Sequence, residues 1–193
     1  MSRLCIVPRW GGGPERDFYP WLHAMLHAEQ PQRFSEILRL EMPNPATPTL
    51  DAWGGHLSRV LGGSTEEQRQ ALSQTVLMGH SVGCQAVMRY LAALPEGTTL
   101  AAAIYIAGWF SVDRPWESIL PWMNTPIDFI AARGRARRHI VLLSDNDPFT
   151  ADYAGTAAAF RDQLGAEVIM APGRRHFNEA QEPAVLDVLR QLA

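Results

Sequence analysis

Apolar positions along this chain fall by turns into short unbroken runs and into stripes at helical spacing. Residues 4–7 form one such run, stopped by Pro8 and followed by Gly11, Gly12, Gly13 and Pro14, the pattern of a buried strand entering a loop. Phe18, Trp21, Leu22, Met25 and Leu26 then repeat at helical spacing, with Asp17 as the expected cap and Pro20 inside the tolerant first turn. A second strand is predicted over 33–40, ahead of a loop forced by Pro43, Pro45 and Pro48. Leu50, Trp53, Leu57, Val60 and Leu61 make a helical stripe that Gly62 and Gly63 end. Residues 75–78 read as a buried strand, and Cys84, Val87, Met88 and Leu91 as the stripe of the helix directly after it. Further strands are predicted over 100–107, 140–143 and 166–170, with helices over about 150–164 and 183–192. The segment 111–126, rich in Trp and Pro, reads as a loop or short lid. Strands alternating with helices predict an α/β fold whose mostly parallel sheet is covered on both faces.

Composition narrows the chemistry rather than the fold. At 193 residues the chain has the length of one domain, expected to span 1–193. A net charge of -3 gives no electrostatic reason to expect nucleic acid or an anionic membrane as partner, which leaves small neutral molecules. All 17 basic residues are arginine, so a lysine Schiff base, a Walker A lysine and a Ser-Lys dyad are excluded. Cys5 and Cys84 are too few for a disulfide framework or a zinc site, and a reduced, cytoplasmic protein is expected. The N-terminal apolar run is shorter than a signal-peptide core, and no stretch approaches membrane-spanning length.

Against that background, Gly79-His80-Ser81-Val82-Gly83 matches G-x-S-x-G at the junction of a predicted strand and a predicted helix. A nucleophile elbow there would push Ser81 Oγ out of the carboxyl edge of the sheet, and the small flanking residues would let strand and helix approach. A serine at its free pKa is a poor nucleophile, so the reading requires a histidine base and a carboxylate to orient it. His176, after the 166–170 strand and before the last helix, is the candidate base. The carboxylate should follow the 140–143 strand, where Asp145 and Asp147 both stand. Asp147 is preferred, because it opens an Asp147-Pro148-Phe149 turn, whereas Asp145 is expected to cap a turn through its side chain. The order Ser81, Asp147, His176 is that of the α/β-hydrolases. The oxyanion hole would combine the Val82 N–H at the helix N-terminus with an N–H from the loop after the first strand, Trp10 in preference to Arg9.

These pieces, together with Ile6-Val7-Pro8 and His176-Phe177-Asn178, resemble the small serine hydrolases of the retinoblastoma-binding protein and YdeN-like family over nearly the whole length. The resemblance implies a compact α/β-hydrolase with little or no cap, acting on small esters or amides. The chain departs from that pattern in its first loop, where Arg9 follows the proline and Phe18-Tyr19 replaces a His-Trp pair. The expected activity is a carboxylesterase-like serine hydrolase working through an acyl-enzyme, without cofactor or metal. Amide cleavage, acyl transfer to another acceptor and a binding module with a vestigial site are the alternatives. Trp109, Phe110 and Trp116 follow a strand near the carboxyl edge and are candidates for an apolar acyl pocket. His23 and His27, four apart, lack the third ligand a metal would need, and Arg133, Arg135, Arg137 and Arg138 read as a solvated helix end.

Overall fold

The inner strands of this chain are largely apolar runs because both of their faces are covered. A computed structural model describes residues 2–29 and 31–192; Met1, Gln30 and Ala193, within the span 1–193 expected to fold as one unit, lie outside the described residues. Strands β1 (Ser2–Val7), β2 (Phe34–Arg39), β3 (Thr75–His80), β4 (Ala102–Ile106), β5 (His139–Leu143) and β6 (Glu167–Met170) form one parallel sheet in the order β2-β1-β3-β4-β5-β6. Of the four inner strands, β3, β4 and β5 are buried along their whole length and β1 along its last four residues, while the edge strands β2 and β6 carry exposed positions.

Alternate residues feed two separate cores. Val7, Leu77, Tyr105 and Val141 meet the helices α2 (Leu50–Leu61), α4 (Val82–Ala93) and α7 (Tyr153–Leu164) on one face. Ile6, Met78, Ile104 and Leu142 meet α1 (Tyr19–Glu29) and α8 (Pro183–Arg190) on the other. The connection leaving β1 runs to one side of the sheet and the connection leaving β3 to the other. Their carboxyl ends therefore open a crevice at a topological switch point, the usual place for a ligand in such sheets.

The structure departs from the sequence reading in a few places, each with a local cause. Asp17 does not cap α1. It sits at φ 52 with its carboxylate on the Arg9 guanidinium, Nε to Oδ2 2.9 Å, and the Leu22 N–H donates to the Phe18 carbonyl instead. A half-buried arginine has taken the side chain that the pattern assigned to the helix. Helix α3 (Glu66–Ser73) was not expected, because only Leu72 of it is buried and no apolar stripe marks it; its signal is the capping box of Thr65 and Gln68. The 111–126 segment is more ordered than a loop. It holds a 3-10 turn (Glu117–Ile119) and α5 (Leu120–Asn124), and the short α6 (Phe129–Gly134), capped by Asp128, follows it. Strand β4 is shorter than the predicted 100–107, with Leu100 reduced to a lone bridge to Ala136. At the end of α6, Arg133, Arg137 and Arg138 are exposed, and Arg138 pairs with Glu167 at 3.0 Å. Among the described residues, no helix is long and apolar enough to cross a membrane, and no group of His, Cys, Asp and Glu could hold a metal.

Candidate active site

Strand β3 ends at His80 and α4 begins at Val82, so Ser81 alone makes the turn, at φ 56 and ψ -120. A non-glycine residue pays for that backbone only where its surroundings fix it. Here the Ser81 N–H donates to the Ile106 carbonyl at 2.9 Å, tying the elbow to the end of β4. The flanking glycines are required by space. A Cβ on Gly79 would lie 2.6 Å from the Gly83 carbonyl carbon, and one on Gly83 would lie 2.5 Å from the Val7 oxygen. Val82 opens α4 with its N–H ahead of the first intrahelical bond. Cys84 is a packed residue of the same helix: its thiol donates to the Gly79 carbonyl at 3.2 Å, and burial pushes its pKa up.

His176 lies in the loop between β6 and α8, 5% exposed, with Nδ1 2.7 Å from Asp147 Oδ2. A carboxylate only accepts, so Nδ1 carries a proton, and in the neutral ring Nε2 keeps its lone pair. The other Asp147 oxygen accepts the Phe149 N–H at 2.9 Å, which fixes the acid in its own turn. Asp145 points elsewhere, accepting the Gly173 N–H at 2.8 Å, and Asn146 accepts the Arg175 N–H at 2.8 Å. The loop after β5 thus supplies His176 with its carboxylate partner and anchors the backbone leading to it. Arg175 and Phe177, on either side of His176, both have positive φ. Beyond them, the fully buried Glu182 carboxylate accepts from Arg174 Nε at 2.9 Å and from the Glu179 N–H at 3.2 Å, closing the loop.

Ser81 and His176 open onto one cavity of about 90 Å³. Its walls are Trp10, Trp109, Trp116 and Phe149, with Val112 and Ile119 behind them and Arg9 and Asn178 as further polar groups. Trp109 Nε1 approaches Ser81 Oγ at 3.5 Å, and its carbonyl is held by Gln85 Nε2 at 2.6 Å. Trp116 meets Trp10 edge to face, ring centroids 5.2 Å apart. Phe110 is not among the lining residues; it packs on Phe160 and Phe129, because its neighbour Trp109 takes the site-facing direction. Phe149, Val112, Ile119 and Asn178 were not singled out from sequence. Phe149 and Asn178 could have been, as they belong to the Asp147-Pro148-Phe149 and His176-Phe177-Asn178 motifs. The Arg9 N–H is committed to Tyr19 Oη at 3.2 Å, whereas among the described residues the Trp10 N–H has no protein partner.

The sequence model of serine hydrolases matches residues 4–188. The chain belongs to the serine hydrolase family. This serine hydrolase is 34% identical over 197 aligned positions to YdeN of Bacillus subtilis (strain 168), covering 97% of its own length and 94% of YdeN. The crystal structure of the B. subtilis ydeN gene product superposes with a TM-score of 0.81 at 22% identity, over 100% of this chain and 98% of that one. Est1E from Butyrivibrio proteoclasticus, solved with ferulic acid bound, superposes at 0.72 and 13% identity, over 99% and 87% of the two chains. The fold is therefore that of the α/β-hydrolases, and the resemblance to YdeN-like hydrolases drawn from short motifs extends along the chain.

His80, the residue before Ser81, is fully buried, and burial pushes its imidazole well below the usual histidine pKa. The buried His139 is shifted the same way, again by desolvation. Below about pH 6.5 the unfolded chain takes up protons that these folded imidazoles refuse, so stability falls as pH falls. Each contributes a slope of up to about 1.4 kcal/mol per pH unit until its folded pKa is reached. Glu182, whose carboxyl is raised by burial, acts in the opposite sense, but from the lower carboxylate range. The urea midpoint is accordingly expected to be lower at pH 5.5 than at pH 7.5, and equal midpoints would contradict the assignment of both histidines as neutral.

Proposed function

We propose that this protein is a carboxylesterase-like serine hydrolase that cleaves small esters through an acyl-enzyme on Ser81, with His176 as base and Asp147 as the residue orienting it. The observation that carries the proposal is a serine held at φ 56 on a strand-to-helix elbow, facing the same cavity as a histidine whose Nδ1 lies 2.7 Å from a buried carboxylate. His176 Nε2 takes the Ser81 proton as Oγ attacks the ester carbonyl carbon, and the carbonyl π electrons move onto oxygen. The N–H groups of Val82 and Trp10 receive that oxyanion; commitment of the Arg9 amide to Tyr19 favours Trp10 as the second donor. Collapse expels the alkoxide, which leaves as the alcohol with the proton from His176. Water then adds to the acyl-enzyme with the same base, and the acid departs.

Labelling by a fluorophosphonate tests this directly. One equivalent is expected to attach to the wild type and none to Ser81→Ala, while a short-chain p-nitrophenyl ester is turned over only by the former. A wild type that neither labels nor turns over would overturn the reading.

The cavity supports a small acyl group. At about 90 Å³ it is well below the ~300 Å³ at which pockets for drug-sized ligands begin. Its cover is pinned rather than loose. Arg89 of α4 donates to the carbonyls of Trp122 and Thr125, Trp122 Nε1 donates to Pro48, and at the other end the Asp113 N–H donates to Phe149. Trp116 stands on that cover between the pins, against Trp10. Trp116→Ala is expected to raise the octanoyl-to-acetyl ratio of kcat/KM by about tenfold or more, tenfold being the low end of what one further methylene is worth in an apolar pocket. An unchanged ratio would mean that Trp116 does not limit acyl length.

A further inference from the structure

Among the buried titratable groups that the proposed mechanism does not use, His80 adjoins both Ser81 and His176. His80 occupies the variable position before Ser81, with its side chain on the α1 face of the sheet, enclosed by Phe18, Tyr19 and the ring of His176. Its two nitrogens have different partners. Nε2 is 2.8 Å from the backbone oxygen of His176, and Nδ1 is 2.7 Å from Tyr19 Oη.

Hydrogen-bond chemistry fixes the direction of every link. A carbonyl only accepts, so His80 carries its proton on Nε2 and donates to His176. In the neutral ring Nδ1 is then an acceptor, and the Tyr19 hydroxyl must donate to it. That hydroxyl is kept protonated by burial, and its oxygen accepts the Arg9 N–H at 3.2 Å. The result is a one-way chain from the Arg9 N–H through Tyr19 and His80 to the His176 carbonyl. It joins the loop that carries Trp10, the elbow that carries Ser81 and the loop that carries His176. Links aligned in one sense reinforce one another in a dry interior.

We propose that His80 is a positioning residue for the general base, setting the His176 backbone and the Arg9-Trp10 loop in a common register with Ser81. The proposal rests on the assignment of His176 as that base. Neutrality of His80 matters to it. The two imidazole centroids are 5.6 Å apart, so a charged His80 would oppose the imidazolium that His176 becomes when it takes the serine proton. Arg9, whose guanidinium also opposes a charge on His80, is paired with Asp17.

Two isosteres separate the links. Gln places its amide N–H where Nε2 stands and keeps the bond to the His176 carbonyl; Asn keeps an acceptor near Nδ1 and cannot reach that carbonyl. Displacement of a catalytic group by about 1 Å costs about 10²-fold in rate, so His80→Asn is expected to lower kcat on that scale, with His80→Gln within about fivefold of wild type and KM little changed in both. Fluorophosphonate labelling rates should follow kcat, and 15N spectra of histidine-labelled wild type should place the His80 proton on Nε2. Asn and Gln variants equal in kcat, or a His80 proton on Nδ1, would overturn the proposal. Should neither variant fold, Tyr19→Phe removes a single oxygen and decides the matter: a fall in kcat at constant KM supports the chain, and an unchanged kcat sinks it. Labelling of wild type at Ser81 is read separately, so failure of the hydrolase assignment is distinguishable from failure of the positioning role.

Discussion

Ser81→Ala and His176→Ala are each expected to lower kcat for a short-chain ester by about 10⁶-fold, and Asp147→Asn by about 10⁴-fold. On the proposed mechanism the first two remove the nucleophile and its base, so only binding and oxyanion stabilisation remain. The third keeps the shape of the site but replaces the charged acceptor of the His176 Nδ1 proton with a neutral amide that can donate as well. The ring is then free to hold its proton on Nε2, facing Ser81, where it cannot act as a base. Asp145→Asn is the informative control. Its oxygen accepts one backbone N–H, from Gly173, and an asparagine retains an oxygen there. A drop of no more than about tenfold is expected for it, since the loss is confined to a charge-assisted bond. Steady-state kinetics on the four variants, with circular dichroism to establish folding, measures this. Equal losses in Asp145→Asn and Asp147→Asn would overturn the assignment of the acid.

That contrast also shows where sequence reading reaches and where it stops. The inner strands were legible as short unbroken apolar runs bounded by turn residues, the helices α2 and α4 as stripes at helical spacing, and the G-x-S-x-G elbow stood out because it fell where a run gives way to a stripe. The preference for Asp147 over Asp145 rested on turn chemistry, with a proline and an aromatic residue following the acid. The role of Asp145 as anchor of the Gly173 backbone, 28 residues away, had no local signal. The same holds for the cavity. Trp109 and Phe110 are adjacent and both aromatic, and nothing in their spacing says which faces Ser81; the choice is made by Phe160 and Phe129, which take up Phe110. Asp17 failed as a cap for a related reason, since an arginine eight positions earlier competes for its carboxylate. Short-range periodicity reports burial; side-chain partnerships across loops require the fold.

Gly83→Ala is expected to be, with Gly79→Ala, among the most damaging single methyl groups that can be added to this protein. Its Cβ would lie 2.5 Å from the Val7 oxygen and 2.7 Å from the Pro8 oxygen, both backbone atoms at the end of β1. Neither can turn aside as a side-chain tip would. Relief requires α4 to withdraw from β1, yet α4 is packed along the sheet by Val82, Cys84, Val87 and Leu91, all at most 1% exposed. Overpacking of this kind costs about 3 kcal/mol or more, a large share of the ~5–15 kcal/mol that stabilises a domain. The functional loss should exceed the stability loss, because the displaced element carries Val82 and Ser81 on one side of the crevice and the opposing backbone leads to Trp10 on the other. Separating them would widen the gap between the two proposed oxyanion donors. Denaturant unfolding and fluorophosphonate labelling of Gly83→Ala, compared with Gly134→Ala, where a Cβ meets nothing within 4 Å, test the argument. Native-like stability and labelling in Gly83→Ala would mean that the close approach of elbow and β1 does not constrain the site.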